Sequence, residues 1–417
     1  MKRSPGNKET CWLVLEPYAH PVIAGNNVLI YNSISGVKLE FRDSPGISRL
    51  AGDLTDPSKG FAAAVDPGNE SSEIKGFISA LRGSYSGDII SSRDGIRPVV
   101  IRPRPVMLNY PPPADYQDFT IGDYLRNIYF FLNASEEPSA AGYTHAMKQF
   151  PCMAYDASGY SELPASAVLN NYMPYDGISG LGMDLTGADL TRYSQLDDLL
   201  PYLKKLISPI ICHIPLPCHD PEAVEKLIRL KNCRVSFYVT LPSGPALLPE
   251  LMNKMFFQKT KKRFDFNFVI RSLDEYNMIT GLLPGIGLEK VFFLPYYSGE
   301  NFEFFRDNIF LSKDDILGSK PDQRQVYSRQ VLNEHSFGKL YVMPSGEVFP
   351  NLNGEPLGSV YNESIPGLVR REVTTGNAWN LTRMKVQPCS GCLYRFLCPP
   401  IGNYERSMQR FNFCDIL

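Results

Sequence analysis

Between Phe119 and His335, six short apolar runs alternate with amphipathic stretches, and this alternation restricts the fold more than any other feature of the chain. The runs are Asn127 to Leu132, Gly180 to Leu185, Pro209 to Ile214, Arg234 to Thr240, Asp265 to Ile270 and Lys290 to Pro295. A strand that is apolar throughout needs cover on both faces, and parallel sheets get that cover from crossover helices. The intervening stretches Ser194 to Ile207, Pro221 to Leu230, Leu247 to Phe257 and Leu273 to Leu283 read as those helices. Asp220 before Pro221 supplies an N-cap with proline at the first helical position. Six β–α units predict an α/β protein whose parallel sheet closes, or partly closes, into a TIM-like (β/α)6 barrel. The site of such a sheet belongs at the C-terminal ends of its strands.

The chain is 417 residues long, too long for one core, so flanking modules are expected. At the N-terminus, Trp12 to Leu15, Val28 to Tyr31 and Val37 to Phe41 are β-rich, with a turn-rich NSISG between the last two. Asp43 to Gly52 and Ser71 to Arg82 look helical, the second with Ile74, Phe77, Ile78 and Leu81 on one face. Three strands and two helices predict a winged-helix-like module over residues 1–97. The Pro-rich stretch over 98–118 reads as an extended linker. The partial barrel follows over 119–337. Over 338–417, LYVMPSGEVFPNL forms a hairpin around Pro344-Ser345-Gly346 and leads to a cysteine-rich end.

A formal charge of −2 offers no global field for nucleic acid or an anionic membrane. No run approaches the roughly 20 apolar residues of a membrane span, and the first residues lack the apolar core of a signal peptide. The nine cysteines are odd in number, and five are scattered without pairing logic. That usage fits a reducing cytoplasm better than a secreted disulfide scaffold.

The other four, Cys389, Cys392, Cys398 and Cys414, make a C-x2-C-x5-C-x15-C array. Four thiolates at such spacing can close around one centre, either a zinc ion or an iron–sulfur cluster.

The hairpin YVMPSGEVFPNLNGEPLGSV, the array after it, and Cys398-Pro399-Pro400 leading through Gly402-Asn403-Tyr404-Glu405 to Cys414 resemble the SPASM domain of radical-SAM peptide maturases. The six β/α units resemble the partial barrel of that superfamily. The N-terminal module resembles a RiPP recognition element, which binds a leader peptide by strand addition, with VLIYNSISGVKLEF as the edge; an ordinary docking module is the alternative. The chain as a whole resembles the pseudo-rSAM proteins of ribosomal peptide maturation systems of the GG-Bacteroidales type.

The departures from the parent family decide what this resemblance implies. Radical-SAM enzymes carry C-x3-C-x2-C after the first strand, where three thiolates hold a [4Fe–4S] cluster and SAM binds its open iron. Here Ser135, Ser139 and Gly142 fall at that spacing, and Cys152 stands alone. A serine hydroxyl is a poor ligand for a soft cluster. The turn that would hold the amino group of SAM reads Leu185-Thr186-Gly187-Ala188-Asp189, with one glycine and a displaced acid. Full SPASM domains carry seven cysteines for two clusters; here Phe349-Pro350-Asn351 ends the hairpin without one, so four cysteines hold one auxiliary [4Fe–4S] cluster at most. The resemblance therefore implies no reductive SAM cleavage, no radical chemistry and no catalytic residues, and it leaves open whether SAM still binds. It implies an accessory subunit that binds a precursor peptide, a cognate radical-SAM maturase, or both. A redox enzyme using the tail cluster and a zinc-stapled scaffold are the alternatives.

Other residues carry weaker signals. Cys212-His213 and Cys218-His219 suggest a second metal site, but strand alternation points Cys212 and His213 to opposite faces. His145 and Lys148 lie where the lost cluster loop runs; a catalytic pair could sit there, but a solvated helix face is the favoured reading. Arg102 and Arg104 could bind an acidic peptide, but a linker surface is the default reading.

Overall fold

The computed structural model describes residues 10–92, 95–101, 120–135, 145–152, 159–241, 264–286, 288 and 291–416. The expected helix Leu247 to Phe257, the arginines at 102 and 104, and Ser139 and Gly142 lie outside them.

The N-terminal part is richer in strands than its sequence predicts. Its strands are β1 (Thr10–Leu15), β2 (Ala19–Ala24), β3 (Asn27–Asn32), β4 (Lys38–Phe41), β5 (Ala62–Val65) and β6 (Gly87–Ser92). They form two antiparallel sheets, ordered β5-β1-β6 and β2-β3-β4. This corrects the single three-stranded unit expected from sequence, and no winged-helix arrangement is shown. The three unforeseen strands have compositions that argue against strands: AHPVIA contains proline, AAAV is mostly alanine and GDIISS is half polar. Pairing with β1 and β3 overrides those local preferences. The helices form as expected. Ser44 caps Pro45–Thr55 by accepting from the Ile47 N–H, and Ser71 caps Ser72–Gly83 through Ile74. Ile74, Phe77, Ile78 and Leu81 pack on Leu13, Leu15, Val28 and Ile30 to make a core of their own.

After β7 (Asn127–Phe131), a short hairpin of β8 (Asn133–Ser135) and β9 (Tyr160–Glu162) stands apart. The parallel sheet continues with β10 (Gly182–Thr186), β11 (Ile210–Leu216), β12 (Cys233–Val239), β13 (Phe264–Ile270) and β14 (Val291–Pro295). Each lies within two residues of its apolar run. Three more strands, β15 (Lys339–Val342), β16 (Glu347–Phe349) and β17 (Gly358–Ser359), extend it. The order is β14-β13-β12-β11-β10-β7-β15-β16-β17. Among the described strands β14 and β17 do not meet, so the sheet is open.

The hairpin of β15 and β16 appears where the sequence places it, and β15 also pairs parallel with β7. Gly338 makes that junction. Its carbonyl accepts from the Arg126 and Asn127 N–H groups at 2.7 and 2.9 Å. Its φ is +77°, and a Cβ there would lie 2.7 Å from the Tyr124 carbonyl. Only glycine meets both conditions cheaply.

Helices Ala165–Tyr172, Leu196–Leu203, Pro221–Ile228 and Leu273–Ile286 cover one face of the sheet. The Asp220 side chain caps the third of these through the Glu222 N–H at 2.8 Å. Phe130, Leu185, Ile214, Phe237 and Phe268 meet Leu199, Val224, Leu227 and Ile279 in the largest core. The other face is different. Tyr129 is in register with Asp184, His213 with Ser236, and Tyr238 with Asn267, so polar groups line up across neighbouring strands. Alternation puts every second residue of these strands on that face.

The Phe237 side chain is fully buried in the main core. We expect Phe237→Ala to lower the unfolding free energy by about 3–5 kcal/mol. Val99→Ala, at a position 91% exposed, should change it by less than about 0.5 kcal/mol. Urea titrations of the two variants compare them, and equal midpoints would contradict this placement of the core.

Candidate metal centre

The cysteine-rich end is fastened to the sheet before it reaches its first cysteine. Trp379 is fully buried and its indole N–H donates to the Lys339 carbonyl at 3.1 Å. Asn333 holds three further points: its N–H donates to the Trp379 carbonyl, and its side-chain amide donates to those of Leu381 and Ile401. The C-terminus returns through a bridge of Leu311 to Cys414, in which the Leu311 N–H donates to the Phe413 carbonyl at 2.8 Å. That bridge brings Cys414 back to Cys389 and Cys392.

Cys389, Cys392, Cys398 and Cys414 are all buried free thiols, and all four line one hollow. Leu311, Ile316, Phe413, Arg383 and Arg395 complete its wall, around about 340 Å³ of atom-free space including its mouth. The Tyr394 N–H donates to Cys392 Sγ at 3.4 Å. Arg383 approaches Cys389 Sγ at 3.5 Å and forms a two-pronged pair with Glu405 at 3.0 and 3.2 Å. Burial pushes the Cys398 thiol up to about 12, against the Arg383 charge. Burial also raises Cys389, opposed by Arg383, and Cys392, opposed by the Tyr394 N–H.

These residues fit a thiolate-bound centre. They offer four sulfur donors, N–H groups aimed at sulfur, and two guanidinium groups to offset the negative charge that thiolates bring. A single zinc ion needs every sulfur about 2.3 Å from one point. Among the described residues, no group of three His, Cys, Asp or Glu side chains has single-ion geometry. Four cysteines are the usual ligand set of an iron–sulfur cluster and also of a structural zinc ion.

The N-terminal sheet also reaches this place. Val22, Leu29 and Tyr31 pack in one cluster with Cys392, Tyr394, Phe396, Cys398 and Cys414. Tyr394 donates to Glu40 at 2.9 Å, and Tyr31 donates to the Pro321 carbonyl at 2.6 Å.

The second region singled out by sequence lies after β7. Ser135 pairs with Tyr160 within the short hairpin. Cys152 is fully buried and points at the Gly187 carbonyl from 3.9 Å. Burial holds its thiol well above the usual range. Asp189 serves as a cap: it accepts from the Thr191 N–H and hydroxyl at 2.9 and 2.7 Å and from the His219 N–H at 3.1 Å. His145 is tied to the Tyr297 carbonyl at 2.7 Å, and the Lys148 carbonyl accepts from Asn353.

Cys212 and His213 do face opposite ways. Cys212 sits in the apolar core with its sulfur 3.5 Å from that of Cys233. His213 lies on the polar face, with Nε2 2.7 Å from Asp184 Oδ1 and Nδ1 3.2 Å from the Tyr238 hydroxyl. His219 Nδ1 is 3.1 Å from Arg192. The CHIPLPCH segment therefore spreads its candidate ligands apart. Sequence reasoning missed the Asp184–His213–Tyr238 chain. Its signal was present as single polar residues inside apolar strands, such as the aspartate of GMDLT and the asparagine of FDFNFVI.

No family model matches the sequence, and no curated protein matches it. Among solved structures, Streptococcus suis SuiB bound to precursor peptide SuiA overlaps with a TM-score of 0.47 and 11% identity, over 96% of this chain and 98% of that one. The same protein bound to S-adenosylmethionine overlaps with a TM-score of 0.42 and 11% identity, over 96% and 97%.

Arg383 is the residue whose loss should disturb the hollow most. We expect Arg383→Met to destabilise the chain by about 3–5 kcal/mol, because it leaves Glu405 buried without its partner. Arg383→Met combined with Glu405→Gln should cost less than the first change alone. Thermal unfolding of both variants checks this; a double variant less stable than the single one would show that the pair does not act as a unit.

Proposed function

We propose that Cys389, Cys392, Cys398 and Cys414 hold one [4Fe–4S] cluster, and that the chain is a pseudo-rSAM protein acting as a peptide-binding accessory subunit in the maturation of a ribosomally made peptide. The observation that carries this reading is the convergence of four buried thiols on one hollow, in a chain whose loop after β7 lacks the three-thiolate spacing of a radical-SAM reaction centre. When bound, the cluster would supply a structural staple and a one-electron relay. Ligation by four thiolates leaves no open iron.

The remaining roles belong to the chain's own residues. Arg383 and the Tyr394 N–H orient and neutralise the sulfurs. Leu311, Ile316 and Phe413 keep water from them. Among the described strands, β4 is an outer strand of the second N-terminal sheet, paired with β3 alone. An extended peptide can add there through main-chain hydrogen bonds. Glu40 of that strand already touches Tyr394, so a bound peptide would lie close to the cysteine-rich end.

Anaerobically purified protein should carry about four irons and four sulfides per chain, lost in a Cys389→Ala/Cys392→Ala variant. About one zinc without colour would replace this reading by a structural staple. About eight irons would restore a radical reaction centre. A pull-down with the precursor peptide tests the partner: a peptide that neither binds the chain nor needs it for modification would sink the accessory role.

A further inference from the structure

The polar face of the central sheet encloses a cavity that the four-cysteine site does not use. It has a volume of about 410 Å³ and lies between the sheet, the segment around Gln149 and the tail at Asn403. Ligand sites commonly enclose about 300–1,000 Å³. Its walls combine two chemistries. Tyr129, Phe150, Tyr238, Tyr341 and Tyr404 supply aromatic rings, and Gln149, Asn267 and Asn403 supply amides.

Charge in the cavity is one-sided. Lys339 is the one lysine or arginine among its described lining residues, and none of those residues is an aspartate or glutamate. The acid that Lys339 feels is Asp184. That carboxylate is already engaged, by the Asn127 amide at 2.6 Å and by His213 at 2.7 Å. His335, also in the wall, is pushed down to about 4 by burial, with Lys339 and Arg406 adding to the effect, so it stays neutral at ordinary pH. Burial likewise lowers the basicity of the Lys339 amine. Lys339 is half-buried, and an ammonium partly withdrawn from water with no carboxylate beside it is costly, so an anion that reaches it relieves that cost.

We propose that this cavity binds an organic carboxylate on a flat apolar body, with the carboxylate against the Lys339 amine and the body between the aromatic rings. Two sources share that chemistry: a free aromatic acid, and the C-terminal aromatic residue of a peptide. The inference rests on the cavity alone and does not depend on what the four cysteines hold.

The test is calorimetric titration of the full chain with indole-3-propionate and with its neutral amide. The acid should bind about tenfold more tightly or better, the worth of one charge-assisted contact. Lys339→Met should abolish that preference without lowering the melting temperature, since it removes a half-buried charge that has no carboxylate partner among the described residues. A peptide ending in a free tryptophan carboxylate, compared with its C-terminal amide, separates the sources: tighter binding of the peptide acid than of indole-3-propionate assigns the site to a peptide end, and the reverse to a free acid. Equal binding of indole-3-propionate and its amide overturns the proposal in the unmodified protein, as does the absence of binding at millimolar acid. An unchanged preference in Lys339→Met overturns the role of that residue.

Discussion

One buried guanidinium organises the end of this chain. Arg383 donates to both oxygens of Glu405, to the carbonyls of Pro399 and Phe411, and towards the sulfur of Cys389. Its side chain and that of Glu405 are 9% and 5% exposed. A buried ion pair of this kind adds little net stability, because desolvation consumes most of the attraction. Its value is geometric. A planar fork with five donors can satisfy several acceptors at once in fixed directions, which a lysine cannot do. Here it ties residues on both sides of the thiols and so fixes where Cys389 stands.

That tail is also where the rest of the molecule meets. The main sheet reaches it through β15, whose Lys339 carbonyl accepts from the Trp379 indole. The N-terminal sheet reaches it through Tyr31, through Glu40 on Tyr394, and through apolar contacts of Val22 and Leu29 with the cysteine segment. The tail has little regular structure, with short helices at Ile365–Thr375 and Asn403–Ser407. A segment so short of ladder hydrogen bonds depends on side-chain anchors, and on thiol ligation where a metal is bound, to hold its shape.

The sequence made the parallel strands legible because burial on both faces leaves unbroken apolar runs, and β7 and β10 to β14 fall within two residues of them. The Asp220 cap and the opposed directions of Cys212 and His213 follow from local rules that need no tertiary information. The four cysteines are likewise visible from spacing, although only folding shows that Cys414 returns to the first three, through its bridge to Leu311. What escaped depends on long-range pairing. β2, β5 and β6 have weak local preferences and exist because β1 and β3 pair with them. β15 reads as half of a hairpin, and its second partner β7 is some two hundred residues away. The polar face was hidden for another reason: single polar residues in apolar strands, such as Asp184 and Asn267, look like interruptions until registers align them.

The short helix Asn403–Ser407 joins the two candidate sites. Asn403 and Tyr404 stand in the wall of the aromatic cavity, and the next residue, Glu405, is the partner of Arg383 beside the thiols. Arg406 then donates to the Ala378 carbonyl next to buried Trp379. Successive residues on one turn of helix thus face the cavity, the thiol hollow and the anchor of the tail. Rigid packing transmits displacement between neighbours rather than absorbing it. The Arg383–Glu405 pair therefore fixes more than the hollow: by setting the position of this turn it also sets where Asn403 and Tyr404 stand, and with them the width of the cavity opposite Lys339. The wall is held from a second side as well: the Asn403 amide donates to the Gln149 carbonyl at 3.3 Å, so the tail and the segment at Gln149 fix it together.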